Sequence, residues 1–418
     1  MDNQTNENEI FNEDKKERAL LISVDTGDFN AEVSMEELEE LAKTAGAEVV
    51  GTSIQKRQTP VAATYIGKGK IEELRLMIDE LDATGIICDD ELSPAQFKNL
   101  EDELGVKVMD RTMVILDIFA ARATSSEGKI QVEMAQLKYR SIRLAGFGTS
   151  MSRLGGGIGT RGPGEKKIET DRRLIRDRIS KLSADLKDMK EHRDVQRSKR
   201  AKTSTPVAAI VGYTNAGKST LLNKLTDAGV LSEDKLFATL DPTTRSMELP
   251  NGEKVLLTDT VGFIRKLPHN LIEAFKSTLE EAKYADIIVH VVDVSNPDYE
   301  QQMSTVYATL KQLGVEGKPV VTLFNKCDVL PEKPAAKDLH ADYTYNISAI
   351  RGNGLEAFKE CIQEIILKSR IRIERVFPYS EAGKIQLIRQ FGQLESEEYT
   401  EDGIKVLAYV PKEIEGKL

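Results

Sequence analysis

From Ala19 onward the chain alternates short apolar runs with amphipathic stretches. Ala19–Val24 (ALLISV), Glu48–Thr52, Gly85–Cys88 and Val106–Met109 have the length and continuous apolar character of strands buried on both faces. Between them, Leu38 with Leu41, and Ile71, Leu74, Ile78 and Leu81, recur at helical spacing. Ser34, with Glu37 three residues on, reads as a capping box for the first helix. Ser93 and Pro94 read as the cap and first residue of the third. GKGK at 67–70 lacks the GKS or GKT ending of a phosphate loop and reads as a turn that opens the second helix. The alternation predicts a small parallel sheet, residues 19–111, covered on both faces.

From Thr112 to Ala145 the period is helical. Val114, Ile115, Ile118 and Phe119 share one face, Ile130, Met134 and Leu137 another, and Gly128 is expected to mark a bend between two helices. The stretch 146–167, GFGTSMSRLGGGIGTRGPGEKK, has too few apolar residues for a core and reads as a long loop. Asp171–Arg200 resumes as a charged helix, so 112–202 forms a helical extension, followed by a linker at 201–205. Pro206–Ser369 returns to the α/β pattern, with buried strands at Val207–Val211, Leu256–Thr258, Ile287–Val292, Val320–Phe324 and Tyr345–Ile347. A doubly wound sheet is expected. Residues 370–418 read as a small α/β C-terminal domain: a strand at IRIERVFPY, a helix at Glu381–Phe391 and a turn at Glu401-Asp402-Gly403. Residues 1–18, polar and acidic at the start, read as a disordered tail. The fold class expected is therefore multidomain α/β.

Composition changes this picture in two ways. No apolar run approaches the roughly 20 residues that span a bilayer, and the polar start does not read as a signal peptide. Three cysteines (Cys88, Cys327, Cys361) without metal-ligand spacing suit a reducing cytoplasm. Second, the net charge of −10 is unevenly placed: residues 136–202 carry 19 Lys and Arg against 8 Asp and Glu. A segregated basic segment suggests a polyanion partner. Arg153, Arg161, Lys166 and Lys167 on a pliable loop, with Arg172 and Arg173 just after it, suit the phosphates and exposed bases of irregular RNA. The alternatives are a plain disordered loop and a helical face of paired charges.

The chemistry concentrates between 212 and 350. GYTNAGKS (212–219), between an apolar run and an amphipathic one, has the spacing G-x-x-x-x-G-K-S of a phosphate-binding loop. Its amides and the following helix N-terminus would face a polyphosphate, Lys218 would reach the outer phosphates, and the Ser219 hydroxyl would ligate Mg²⁺. DTVG (259–262) ends a strand, where Asp259 would hold Mg²⁺ through water and the Gly262 amide would meet the terminal phosphate. NKCD (325–328) ends another strand. Asp328 would accept from guanine N1 and N2, a donor pair adenine lacks. Ser348-Ala349-Ile350 falls where a loop would cover the base. The ordered set selects GTP over ATP. The candidate contacts are Gly212, Tyr213, Thr214, Asn215, Ala216, Gly217, Lys218, Ser219, Asp259, Thr260, Val261, Gly262, Asn325, Lys326, Cys327, Asp328, Ser348, Ala349 and Ile350.

At this point the chain resembles the translation-factor-related GTPases, and most of all the HflX family. The resemblance rests on YIGKGK (65–70), LSPAQFKNLE (92–101), DRTMVILDIFAARA (110–123), GKIQVEMAQLKYR (128–140), GGGIGTRGPGEKKIETDRR (155–173) and LFATLDPTTR (236–245). It implies a GTPase domain preceded by an N-terminal domain with a helical extension. It also implies a GTP hydrolase that binds the large ribosomal subunit and its RNA and splits stalled ribosomes. DNA and integral membrane segments are not expected, and a cytoplasmic monomer is. A nucleotide-gated ribosome- or RNA-binding protein, using hydrolysis only for release, is the competing reading. LFATLDPTTR would supply the first mobile loop, with Phe237, Ala238, Thr239, Leu240 and Asp241 at the nucleotide. The family pattern favours Thr239 as its Mg²⁺ ligand, with Thr243 as runner-up. Phe263 stands where many GTPases keep a water-orienting glutamine, so slow intrinsic turnover and a partner's stimulus are expected. In similar GTPases an asparagine placed as Asn215 is can coordinate K⁺. Alternatively it only stabilises the loop. Lys218, Thr239, Gly262 and Asn215 are the catalytic candidates.

Overall fold

Continuous apolar strands can be buried only if both sheet faces are covered, and that is the arrangement found in the computed structural model. It describes residues 16–27, 30–152, 163–201, 205–226, 236–237, 239–268, 271, 276–332 and 336–418. The first sheet is built from β1 (Arg18–Asp25), α1 (Ala31–Thr44), β2 (Glu48–Lys56), α2 (Lys68–Glu80), β3 (Gly85–Cys88), α3 (Pro94–Leu104) and β4 (Lys107–Asp110). Its four strands run parallel in the order β2-β1-β3-β4. Helices α4 (Arg111–Arg122), α5 (Ser126–Ser152) and α6 (Pro163–Ala201) follow.

The second sheet is built from β5 (Val207–Gly212), α7 (Lys218–Thr226), β6 (Thr243–Glu248), β7 (Lys254–Asp259), α8 (Lys276–Tyr284), β8 (Ile287–Asp293), α9 (Tyr299–Gln312), β9 (Val320–Asn325), β10 (Tyr343–Asn346) and α10 (Leu355–Lys368). The order is β10-β9-β8-β5-β7-β6, parallel except for the edge strand β6. β11 (Ile371–Phe377), α11 (Ala382–Phe391), β12 (Gln393–Thr400) and β13 (Gly403–Val410) make a three-stranded antiparallel sheet with α11 packed on it. The mixed α/β, multidomain class is the one expected.

Some local expectations change. Asn30, not Ser34, caps α1: its side chain accepts from the amides of Glu32 and Val33. Ser34 is inside the helix and gives its hydroxyl to Asp89 at 2.7 Å, while Glu37 pairs with Arg111. The cap at Ser93 is as expected, with Gln96 completing the box. Gly128 is in the first turn of α5 rather than at a bend. The chain breaks at 123–125 instead. Much of the expected loop 146–167 is helical: α5 runs to Ser152 and α6 starts at Pro163, whose fixed φ suits a first helical position. Arg153 and Arg161 lie outside the described residues. Edge strand β6 had no apolar run to reveal it, since only Met247 of its residues is buried.

Packing divides the described chain into two compact units. One holds residues up to Ala121 with Val132–Ser180, the other Arg122–Gln131, Lys181–Leu267 and Leu271–Leu418. Residues 112–202 contribute to both units. In the first unit Tyr139 donates to Asp110 at 2.5 Å and the Arg143 guanidinium lies 3.4 Å from the Phe97 ring centroid. In the second, Arg193 pairs with Glu127 at 3.0 Å.

The first unit has a charged cluster at its centre. Arg111, 1 % exposed, binds Asp89 at 2.5 Å and also pairs with Glu37, and Ser23 and Ser34 complete Asp89. Removing one member of such a set leaves a buried charge uncompensated. Arg111→Met is expected to destabilise the first unit by about 3–5 kcal/mol, read as faster amide exchange in β1, β3 and β4. Exchange unchanged from wild type would show that the cluster adds nothing.

Candidate guanine-nucleotide site

The carboxyl ends of β5, β7 and β9 lie along one edge of the parallel sheet, with β8 between β5 and β9, where such a sheet offers a crevice for ligands. β5 runs directly into the glycine-rich loop. Gly212, at φ +156°, passes so close to the Val291 carbonyl that a Cβ would overlap it. Gly217, at φ +94°, is crowded in the same way by the Asn325 amide. Asn215 holds a left-handed conformation at φ +59°, which asparagine tolerates better than other side chains. Lys218 opens α7, buried, with its Nζ donating to the Tyr213 carbonyl at 2.8 Å. Burial pushes its ammonium down to about 8, with Asp259 opposing.

Three chain segments meet next to it. The Ser219 hydroxyl donates to Asp259 Oδ2 at 2.8 Å and lies 2.7 Å from the Thr239 hydroxyl. Thr243, the alternative, opens β6 and pairs in register with Asp259, and the neighbouring Thr244 hydroxyl bonds Thr258 at 2.9 Å. Asp259 is fully buried, which pushes its carboxyl up, and its Oδ1 has no hydrogen-bond partner among the described residues. A buried, unpaired carboxylate oxygen beside two hydroxyls is a donor set for a hard divalent cation. Thr260 bonds the Ile210 carbonyl at 2.7 Å and Val261 is buried, so DTVG is fixed to β5. Gly262 follows directly, against Thr214 and Lys218.

Phe237 and Phe263 close the phosphate end. The Phe237 amide, at φ +55°, donates to the Thr214 hydroxyl at 3.0 Å. The Phe263 amide donates to the Gly212 carbonyl at 3.1 Å, and its carbonyl accepts from the Thr214 amide at 2.7 Å. The Phe263 ring is buried, 2 % exposed, so it offers nothing to a water molecule. Leu240 is buried, Ala238 lies outside the described residues, and Asp241 is turned to Thr124 and Ser125 instead of the nucleotide.

At the base end, Asn325 donates to the Ala216 carbonyl and accepts from the Ala349 amide, both at 2.9 Å. It therefore ties the phosphate loop to the base loop. Lys326, at φ +64°, pairs with Asp293 at 2.7 Å. The Cys327 amide bonds Ile347 at 3.3 Å. Asp328 meets the Arg351 Nε at 3.3 Å. Its carboxyl is held below the usual range by the Ser348 hydroxyl, with Arg351 adding to it. Ile350 is 72 % exposed, in contrast to buried Ala349. Asp293 and Arg351 were not foreseen. Asp293 ends a buried strand, a position worth inspecting, whereas nothing in the sequence announces Arg351. Of the basic candidates, Lys166 and Lys167 fall in the first turns of α6. Arg172 is half-buried and donates to the Leu144 carbonyl at 2.7 Å, and Arg173 is exposed.

A phosphate-loop spacing that joins a buried strand to a helix, with DTVG and NKCD closing two further strands on the same edge of a parallel sheet, defines a P-loop GTPase. Comparison with known proteins narrows the class. Family models match in sequence along the chain: GTP-binding GTPase N-terminal over 32–120, GTP-binding GTPase Middle Region over 122–200 and 50S ribosome-binding GTPase over 207–326. The GTPase HflX of Lacrimispora saccharolytica is 62 % identical over 400 residues, 96 % of this chain and 95 % of that protein. The GTPase HflX of Escherichia coli is 37 % identical over 396 residues, 93 % of this chain and 92 % of that one. A GTP-binding protein from Sulfolobus solfataricus, solved with GDP, is 27 % identical with a TM-score of 0.44, covering 84 % of this chain and 98 % of that one. The chain belongs to the HflX family of GTPases, and it hydrolyses GTP.

Two outcomes check this geometry. Phosphates raise the pKa of Lys218 from about 8, so binding takes up a proton only at higher pH. GDP affinity is expected to be flat below about pH 8 and to fall by up to about tenfold per unit above it, measured calorimetrically. A flat profile throughout would mean Lys218 stays charged unaided. Asp328→Ala is expected to cut the preference for guanine over adenine nucleotides by at least about a hundredfold, read from competitive binding.

Proposed function

We propose that this chain works on the large ribosomal subunit, gripping it and separating the ribosome in the GTP form and leaving after hydrolysis. The observation that carries the reading is Phe263. A buried phenyl ring follows DTVG, so this chain supplies no water-orienting side chain there and turnover depends on a partner. The match of residues 207–326 to a model described as 50S ribosome-binding GTPase supports the ribosome as that partner. The basic excess over 136–202 supports contact with its RNA. Arg173 and the Arg153–Lys167 stretch are the candidate contacts. Arg172 is partly committed to α5. The segments 19–111 and 112–202 would serve binding and 206–369 nucleotide turnover.

Mg²⁺ would be held by Ser219, Thr239 and, through water, Asp259. When bound it neutralises charge on the outer phosphates. Lys218 adds charge beside them, and the Gly262 amide faces the terminal phosphate. Asn215 would coordinate K⁺ beside the phosphates. Among the described residues no helix is long and apolar enough to cross a membrane.

Purified ribosomes sedimented through sucrose with this protein are expected to show splitting and large-subunit binding with GTP or a slowly hydrolysed analogue, and little with GDP. Binding indifferent to the nucleotide would overturn the proposal. Thr239→Ala, and not Thr243→Ala, is expected to abolish the Mg²⁺-dependent difference between GTP and GDP forms. Equal turnover in K⁺ and Na⁺ would remove the potassium assignment.

A further inference from the structure

Only Leu240 separates Thr239, whose hydroxyl lies 2.7 Å from Ser219, from a carboxylate committed to another part of the same unit. Asp241 Oδ2 accepts from the Thr124 amide at 2.9 Å, the Thr124 hydroxyl at 2.7 Å and the Ser125 amide at 2.8 Å. Its Oδ1 accepts from the Ser125 hydroxyl at 2.5 Å. Ser125 in turn accepts from the Gly128 amide at 2.9 Å, capping α5. The start of a helix leaves unpaired N–H groups and a positive end, so a carboxylate docked there gains charge-assisted bonds. Burial opposes ionisation of Asp241, but the bonds from Ser125 and Thr124 outweigh it and hold the carboxyl below its usual range.

Gly128 gives a second, independent indication. Glycine in a helical turn ordinarily costs stability relative to alanine. Here a Cβ would overlap Asp241 Oδ1 and come within 3.0 Å of the Ser125 hydroxyl. The helix carries a glycine where the carboxylate needs the room. Leu240, 2 % exposed, fixes the residue between. Three consecutive residues are thereby pinned: one at the Ser219–Asp259 pair, one in the core and one on α5.

We propose that Asp241 is a positioning residue of the first mobile loop, holding Thr239 at Ser219 by anchoring on Thr124 and Ser125, so that the first turn of α5 reports whether Thr239 is engaged. This rests on the GTPase reading of the pocket and is independent of any ribosomal partner. GDP is held by the phosphate loop and the base loops, neither of which the anchor touches. The anchor therefore acts on the form that needs Thr239.

Three variants of the full chain test it: Asp241→Asn, Ser125→Ala and Gly128→Ala. The last adds a methyl group on the helix side. Each is expected to lower single-turnover hydrolysis and affinity for a slowly hydrolysed GTP analogue on the order of tenfold. GDP affinity is expected to stay within about twofold of wild type, which also shows the variants fold. Amide exchange at 124–131 is expected to slow when wild type exchanges GDP for the analogue, and to lose that difference in the variants. Equal losses of GDP and analogue affinity would reduce the anchor to a fold-maintaining contact and overturn the proposal. So would wild-type kinetics in Gly128→Ala. Wild-type protein that bound no GDP would instead indict the nucleotide reading itself.

Discussion

The side-chain amide of Asn325 bonds two loops that share no strand. Its donor end fixes the phosphate loop at Ala216 and its acceptor end fixes the base loop at Ala349. The distance between the phosphate and base subsites is thus set by one short planar group at the end of β9. Everything else in the pocket is referred to that tie. Gly217 is a glycine because the Asn325 amide occupies the space beside it. Asp328 stands where it does because Asn325 ends the strand three residues earlier.

Backbone strain gathers around the same pocket. Asn215, Phe237 and Lys326 all lie at positive φ, and each belongs to a different loop. Such conformations persist only where the surroundings over-determine them. Phe237 is held by a buried ring and a bond to Thr214, Lys326 by its pair with Asp293. These contacts offset the local strain.

Much of this was legible in the chain. The parallel strands could be read because continuous apolar runs have few other stable environments, and the glycine-rich loop because its spacing follows a buried strand and opens a helix. What could not be read depends on contacts distant in sequence. Asn30 outcompeted Ser34 for the cap of α1 because Asp89, more than fifty residues on, claims the Ser34 hydroxyl. Gly128 looked like a hinge because its neighbour, Asp241, lies over a hundred positions away. The glycine-rich stretch read as loop because its composition cannot support a core, yet α5 and α6 extend into it from both sides. β6 escaped notice because an edge strand buries little of itself.

The buried, unpaired oxygen of Asp259 has a consequence for how the chain keeps its shape. Burial of the Asp259 carboxyl at the end of β7 carries a desolvation cost beside the phosphate loop, only partly offset by Lys218 and the Ser219 hydroxyl. A guanine nucleotide bound at this junction would share part of its binding energy with cohesion of the sheet. At a hundredfold excess over its dissociation constant, such a ligand adds about 2.7 kcal/mol to stability. Guanine nucleotide is on this view a staple as well as a substrate, and the protein's resistance to heat and proteolysis should track the supply of it.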